Sequence, residues 1–288
     1  MKATKTNWIL LVGLLFGLAL SGCSSLKDAQ DLYRQGNKDK ALDIAIGFLG
    51  NGKPEVRMEA AQLVGQIGGD RAGKALLPLM RDEVADVAVE GIKALGKTGY
   101  VTAGEPMTEF TPKAQGKVFD ALAGAFRNLG TAAIVPLVKA FDSAPPEADW
   151  KAYRAMLIQT GPVVSTAIAQ SFKGKSPLDN EEKLNVLVEL RSPTVPTLLV
   201  EMLGDPEVAD MVVKGLIKLG SLSVDPAVAE LQKYQGSDQG ATIKEKLCYA
   251  LGEIKSRRAV PILEQMAKDS NDLVRAAADS ALTKARGF

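Results

Sequence analysis

The chain repeats itself. Glu55–Asp82 (EVRMEAAQLVGQIGGDRAGKALLPLMRD) aligns without a gap to Thr242–Asp269 (TIKEKLCYALGEIKSRRAVPILEQMAKD), sharing Gly65/Gly252, Ile67/Ile254, Arg71/Arg258, Ala72/Ala259, Leu76/Leu263 and Asp82/Asp269. The same offset carries on to pair Val87 with Val274 and Leu95 with Leu282. A third copy, VADMVVKGLIKLG (Val208 to Gly220), matches VADVAVEGIKALG (Val84 to Gly96). A chain built this way stacks copies of one supersecondary unit, each burying its apolar face only against its neighbours. That excludes most globular layouts before any single residue is weighed.

Punctuation residues set the period. Pro136, Pro196, Pro226 and Pro261 each stand near the start of an apolar segment, at multiples of about 30 residues until the polar stretch Tyr234 to Gly240 adds an excess. Each period holds two helical patterns. The first ends at a glycine (Gly96, Gly130, Gly161, Gly220) that can close a helix in the left-handed conformation. The second opens on a proline, whose missing N–H costs little in a first turn. Between Gly99 and Phe110 the pattern is poorest, with a second helix expected to be short or absent. Asn271 to Phe288 reads as a lone capping helix. Gly91 and Gly215 fall mid-helix, where close packing of a neighbour is the expected reason.

The cadence Asp269-Val274-Arg275-Ala276, Leu251-Gly252-Ile254 and Arg258-Ala259-Val260-Pro261-Leu263 resembles HEAT repeats, in particular the short bacterial kind of phycobilisome lyase-type proteins. The resemblance implies an all-α fold, an α-solenoid of seven to eight stacked helix pairs over residues 51–288. It also implies an Asp–Arg ladder between repeats, for which Arg57, Arg275, Asp82, Asp205 and Asp269 are suitably placed. Residues 26–50 form an extra first layer: LYRQGNKDKALDIAIGFL resembles a tetratricopeptide hairpin through Tyr33, Gly36 and Ala41. Ser25 with Asp28 is placed to cap its first helix.

The amino terminus has three parts. Met1 to Asn7 carries Lys2 and Lys5 and no acid, and Trp8 to Leu20 is apolar throughout. That run falls short of the ~20 residues a spanning helix needs and suits a signal peptide. The alternative is a short transmembrane anchor. Leu20, Ser21, Gly22 and Cys23 (LSGC) resemble the lipobox of bacterial lipoproteins. The resemblance implies cleavage of residues 1–22 after recognition of Leu20, Ser21 and Gly22, with lipidation of the Cys23 thiol. Residues 23–25 would then be the lipidated terminus, and two or more acyl chains make a stable anchor. Serine rather than aspartate at position 24 points to the outer membrane, the chain facing the periplasm.

Composition narrows the chemistry. There is no histidine, which removes Ser-His-Asp and Cys-His catalysis, His-ligated zinc, and the His-Glu pairs of HEAT-repeat di-iron hydroxylases. No Walker A or GxGxxG motif occurs, and GGDRAG (Gly68 to Gly73) reads as an inter-helix turn. Glu181-Glu182 and Asp82-Glu83 read as helix-start carboxylates favoured by the helix dipole. Cleavage would remove Lys2 and Lys5 from the 35 basic residues, leaving 33 against 34 acidic ones. Such a balance gives no field for nucleic acid. Cys248, in an apolar helical context, reads as a half-buried structural thiol.

No catalytic residue, metal site or cofactor is therefore expected, and the chain is not expected to be an enzyme. The expected role is a membrane-tethered scaffold for a protein partner, with neither metal nor nucleic acid involved. The alternative is an accessory chaperone or lyase-like protein holding a partner or small ligand in a concave groove. Candidate partner-binding residues are Trp150 and Tyr153, on one helical pattern after Pro145-Pro146, with Tyr100 and Tyr234 in the segments that break the period.

Overall fold

A computed structural model describes residues 25–143, 150–172 and 177–287. Its described residues are helices joined by tight turns and short 3-10 segments, with no strand among them. In chain order the helices are α1 Leu26–Arg34, α2 Lys38–Gly47, α3 Pro54–Ile67, α4 Asp70–Leu76, α5 Ala85–Leu95, α6 Gly104–Phe110, α7 Gly116–Leu129 and α8 Thr131–Ser143. There follow α9 Trp150–Thr160, α10 Ser165–Ser171, α11 Pro177–Leu190, α12 Val195–Glu201, α13 Ala209–Leu219, α14 Val224–Lys233, α15 Ala241–Ile254, α16 Val260–Met266 and α17 Asp272–Arg286. They alternate as pairs with α17 left over, the order the repeats imply.

Contacts divide the chain into two compact units. The first comprises the described residues of Met1–Ala103 with Gln115–Leu129, the second Gly104–Ala114 with Gly130–Phe288. In the first, α1, α3, α5 and α7 pack in succession, with α2 and α4 packing beside α3. Fully buried Ala29, Ala60, Val64, Leu76, Ile92, Leu95, Leu122 and Phe126 make its core. In the second, α9, α11, α13, α15 and α17 form one succession and α6, α8, α10, α12, α14 and α16 another. Within each unit, helices of a succession are thus covered by the helix two places on, which is how a solenoid builds its core from local contacts.

Glycine sets the spacing. A Cβ on Gly65 would stand 2.8 Å from Ala94 of α5, and one on Gly252 would stand 2.8 Å from Ala281 of α17. The two repeats related by sequence thus use the same glycine-on-alanine contact. Gly91 and Gly215 behave as expected, lying against Leu79 and Leu184. Gly96 does not: its φ is −61°, and its reason for being glycine is Ala125 at 2.8 Å from a would-be Cβ. The left-handed turn there is taken instead by Gly99, with φ 75°.

Two further expectations change. Pro136 lies inside α8, because that helix starts earlier, at Thr131 directly after Gly130. The α6 segment is a seven-residue helix, no shorter than α4, α10, α12 or α16. Seven α-helical residues flanked by a 3-10 turn is the ordinary form of the second helix here, so this repeat is not degenerate. The amino-terminal cap forms as the sequence implied. Asp28 N donates to Ser25 Oγ at 3.2 Å and Ser25 N donates to Asp28 Oδ2 at 2.7 Å, closing a capping box. No described helix is long and apolar enough to cross a membrane.

Candidate functional site

Buried charge is used for stacking. Arg57, on α3, donates from Nε and Nη2 to the two oxygens of Asp82 at 2.8 and 2.7 Å, and from Nη1 back to the Asn51 carbonyl at 2.8 Å. The equivalent residue of the distant repeat is Lys244, which donates to Asp269 Oδ2 at 2.6 Å and back to the Ser237 carbonyl at 2.7 Å. Each rung ties the loop before a helix to the loop after its pair. Asp82 and Asp269 also accept from the N–H two residues on, Val84 and Asn271. Burial alone would raise both carboxyls, but the paired cation and the backbone donor hold them below the usual aspartate value. Arg275, in the first turn of α17, bonds the Asp269 and Ser270 carbonyls and Asp272. Asp205 accepts from Glu207 N as a turn. The ladder residues are therefore structural, and Lys244 belongs among them although the Asp–Arg pattern passed it over.

Cys248 is fully rather than half buried, and burial, aided by the Asp269 charge, pushes its thiol up to about 12. Such a thiol is inert.

The aromatic candidates do not gather. Tyr100, read as a surface residue, is buried at 7 % exposure, its ring base lying where any Cβ on Gly73 would fall. It is a core residue, and its assignment to partner binding is withdrawn. Trp150 is half-buried, its ring 6.4 Å from that of Phe141, and Tyr153 is half-buried one turn along α9. Tyr234, also half-buried, folds over its own loop against Gly240. Arg154 beside Tyr153 reaches Glu189 of α11 at 2.6 Å. Cys23, Leu20, Ser21 and Gly22 lie outside the described residues, as do Pro145 and Pro146.

Two surface grooves stand out. One, of about 450 Å³, lies between the Gln235–Asp238 loop and Gln265–Ser270, within the period-breaking segment singled out from sequence. Its lining mixes the amides of Gln235 and Gln265, the hydroxyls of Ser237 and Ser270, and the charges of Asp238, Asp269 and Lys268 with the apolar Met266. The other, of about 400 Å³, is the seam between α5 and α7. Its floor is Val89, Ala121 and Gly124, and its rim carries Lys93, Lys97 and Lys117 with the single carboxylate Asp120. None of these three lysines has an ion-pair or hydrogen-bond partner among the described residues. Sequence reasoning missed this site, because its charges come from two helices and carry no local motif. Among the described residues no group of His, Cys, Asp and Glu could hold a metal.

Residues 195–283 match the family model for HEAT repeats. That match covers less than a third of the chain. Together with the helix stacking, it makes the chain an all-α, HEAT-like solenoid. No sequence among curated proteins matches the chain. Similar solved structures include human deoxyhypusine hydroxylase in complex with glycerol, at 15% identity over 90% of this chain and 100% of that one, TM-score 0.35. The complex of CpcE and CpcF of phycocyanin lyase from Nostoc is 18% identical over 85% of this chain and 94% of that one, TM-score 0.34. A designed armadillo repeat protein is 19% identical over 85% and 99%, TM-score 0.31. At these scores none of them carries an argument about function.

Proposed function

We propose that the chain is a membrane-anchored periplasmic lipoprotein whose HEAT-like array is a scaffold for a protein partner. The observation that carries this reading is the array itself: repeats stacked through Gly–Ala contacts and buried ion-pair rungs, with charged side chains spent on stacking and broad helical faces left to solvent. Surfaces of this kind serve to bind macromolecules. Neither groove has an aromatic side chain in its lining, which favours a protein segment over a small ligand held in a stacked pocket.

Anchoring belongs to the same proposal. It rests on the Lys2/Lys5, apolar and LSGC sequence of the first 23 residues. Only Ser24 and Ser25 separate Cys23 from α1, and Ser25 already caps that helix. Lipid on Cys23 would thus hold the first layer of the array at the bilayer without a stalk, and Ser24 supports the outer membrane.

The test is chemical crosslinking in intact cells, comparing wild type with Cys23→Ala. The expected result is a discrete protein adduct of the membrane-bound wild type that is lost or strongly reduced in the variant. A wild type that yields no adduct above background would overturn the scaffold reading.

A further inference from the structure

The α5–α7 seam differs from the seams of the longest-helix succession in the second unit in how its charges are met. Within the second unit, neighbouring helices of one succession are tied across each seam: Arg154 to Glu189, Lys218 to Asn185 at 3.2 Å, Lys246 to Asp210, and Lys284 to Glu253 at 2.6 Å. Along the α5–α7 seam the cations Lys93, Lys97 and Lys117 line one groove with Asp120 as the single carboxylate in the lining. These exposed cations are screened by water and salt, and an acidic partner would find three of them collected in one groove.

Gly124 makes the second, independent observation. Gly65, Gly73, Gly91, Gly215 and Gly252 lie within helices, and a Cβ on any of them would come under 3 Å from a neighbour. Gly124 also lies within a helix, yet a Cβ there meets nothing within 4 Å. No packing contact explains a glycine there, although it weakens the helix. What it does is keep the floor of the lysine-rimmed groove open.

We propose that this seam is a docking groove for an acidic amphipathic helix of a protein partner. The proposal rests on the scaffold reading and names the chemistry of the partner. Lys93, in the last turn of α5, and Lys97, in the turn that follows it, both line the groove and offer cations to carboxylates about one turn apart on a docked helix. Lys117 and Asn128 bound a trough about 16 Å long, or three turns. Apolar side chains between the carboxylates seat on Val89, Ala121 and Gly124. The lining holds no aromatic side chain, which suits a helix better than a base-stacking strand.

The probe is a fluorescein-labelled helical peptide of about 15 residues with glutamates at i and i+4 flanking a leucine stripe. Its lysine-for-glutamate twin, phosphatidylglycerol vesicles and single-stranded DNA are run beside it on the full chain in non-ionic detergent. The acidic peptide should bind, and more weakly as salt rises. Affinity should fall about tenfold or more in the Lys93→Gln/Lys97→Gln/Lys117→Gln variant, whose changes are on exposed side chains. It should fall comparably in Gly124→Leu, which fills the groove from open space and leaves every lysine in place. No binding of the acidic peptide, equal affinity for wild type and both variants, or preference for vesicles or DNA would each overturn the proposal. If crosslinking in cells still captures a partner while the peptide fails to bind the wild type, or binds wild type and both variants equally, the scaffold reading stands and this groove is not its site.

Discussion

Gly252→Ala and Gly124→Ala make the same chemical change inside two helices, yet they should move stability in opposite directions. Both gain up to about 1 kcal/mol from replacing glycine in a helix interior. At Gly252 the new Cβ stands 2.8 Å from Ala281 Cα and 2.9 Å from Ala281 Cβ. Carbon pairs prefer about 3.5–4.0 Å, so α17 must retreat by most of an ångström along its packed face. Overpacking of this kind costs about 1–3 kcal/mol. The propensity gain cancels between the two variants, so the gap between them is that overpacking cost. Gly252→Ala should be less stable than wild type by up to about 2 kcal/mol, and Gly124→Ala more stable by up to about 1 kcal/mol. Urea unfolding followed by helical circular dichroism reads the gap, and amide exchange in α15 and α17 shows whether the loss is local to that seam. Equal midpoints, or a stabilised Gly252→Ala, would refute the claim that glycine sets the distance between stacked helices.

Other outcomes follow from the buried charges and the thiol. Lys244→Met leaves Asp269, 5 % exposed, without its cation and should cost about 3–5 kcal/mol. Adding Asp269→Asn should recover part of this, and strictly additive losses in urea titrations would argue against the rung. Asp82 and Asp269 are held below the ordinary value of 3.8, so their contribution is complete above that value and is lost as pH falls through their folded-state values. Acid unfolding below about pH 4 should therefore be shallower in the Asp82→Asn/Asp269→Asn variant, as followed by circular dichroism during acid titration. Cys248, pushed up to about 12 by burial, should resist a thiol-reactive dye in the native chain near pH 8 and react fully in urea. Rapid native labelling would contradict its placement.

Much of the fold was legible because the repeat preserves contacts as well as composition. The offset that aligns Gly65 with Gly252 also aligns their partners Ala94 and Ala281, so a sequence match marked a real packing interface. Arg57 and Lys244 fill the same rung with different side chains, and a search for arginine passes over the lysine. Tyr100 follows a break in the period, which suggested a surface, but Gly73 opens a socket that takes its ring. Gly96 shows the reverse error, a glycine read as a turn that is there for close approach. The α5–α7 groove was invisible for a physical reason. Its lysines are ordinary solvent-facing residues of two helices and a turn, and only stacking shows that they share one groove with Asp120 as the single carboxylate in its lining.

The central proposal is that lipid on Cys23 holds the array at a membrane. Intact-mass spectrometry of the chain recovered from the membrane fraction tests this directly. The predicted mass is that of residues 23–288 plus acyl groups on Cys23, with Cys23→Ala giving no lipidated species. Recovery of the full 288-residue chain without lipid, or of a chain cleaved elsewhere with an unmodified Cys23 thiol, would contradict it.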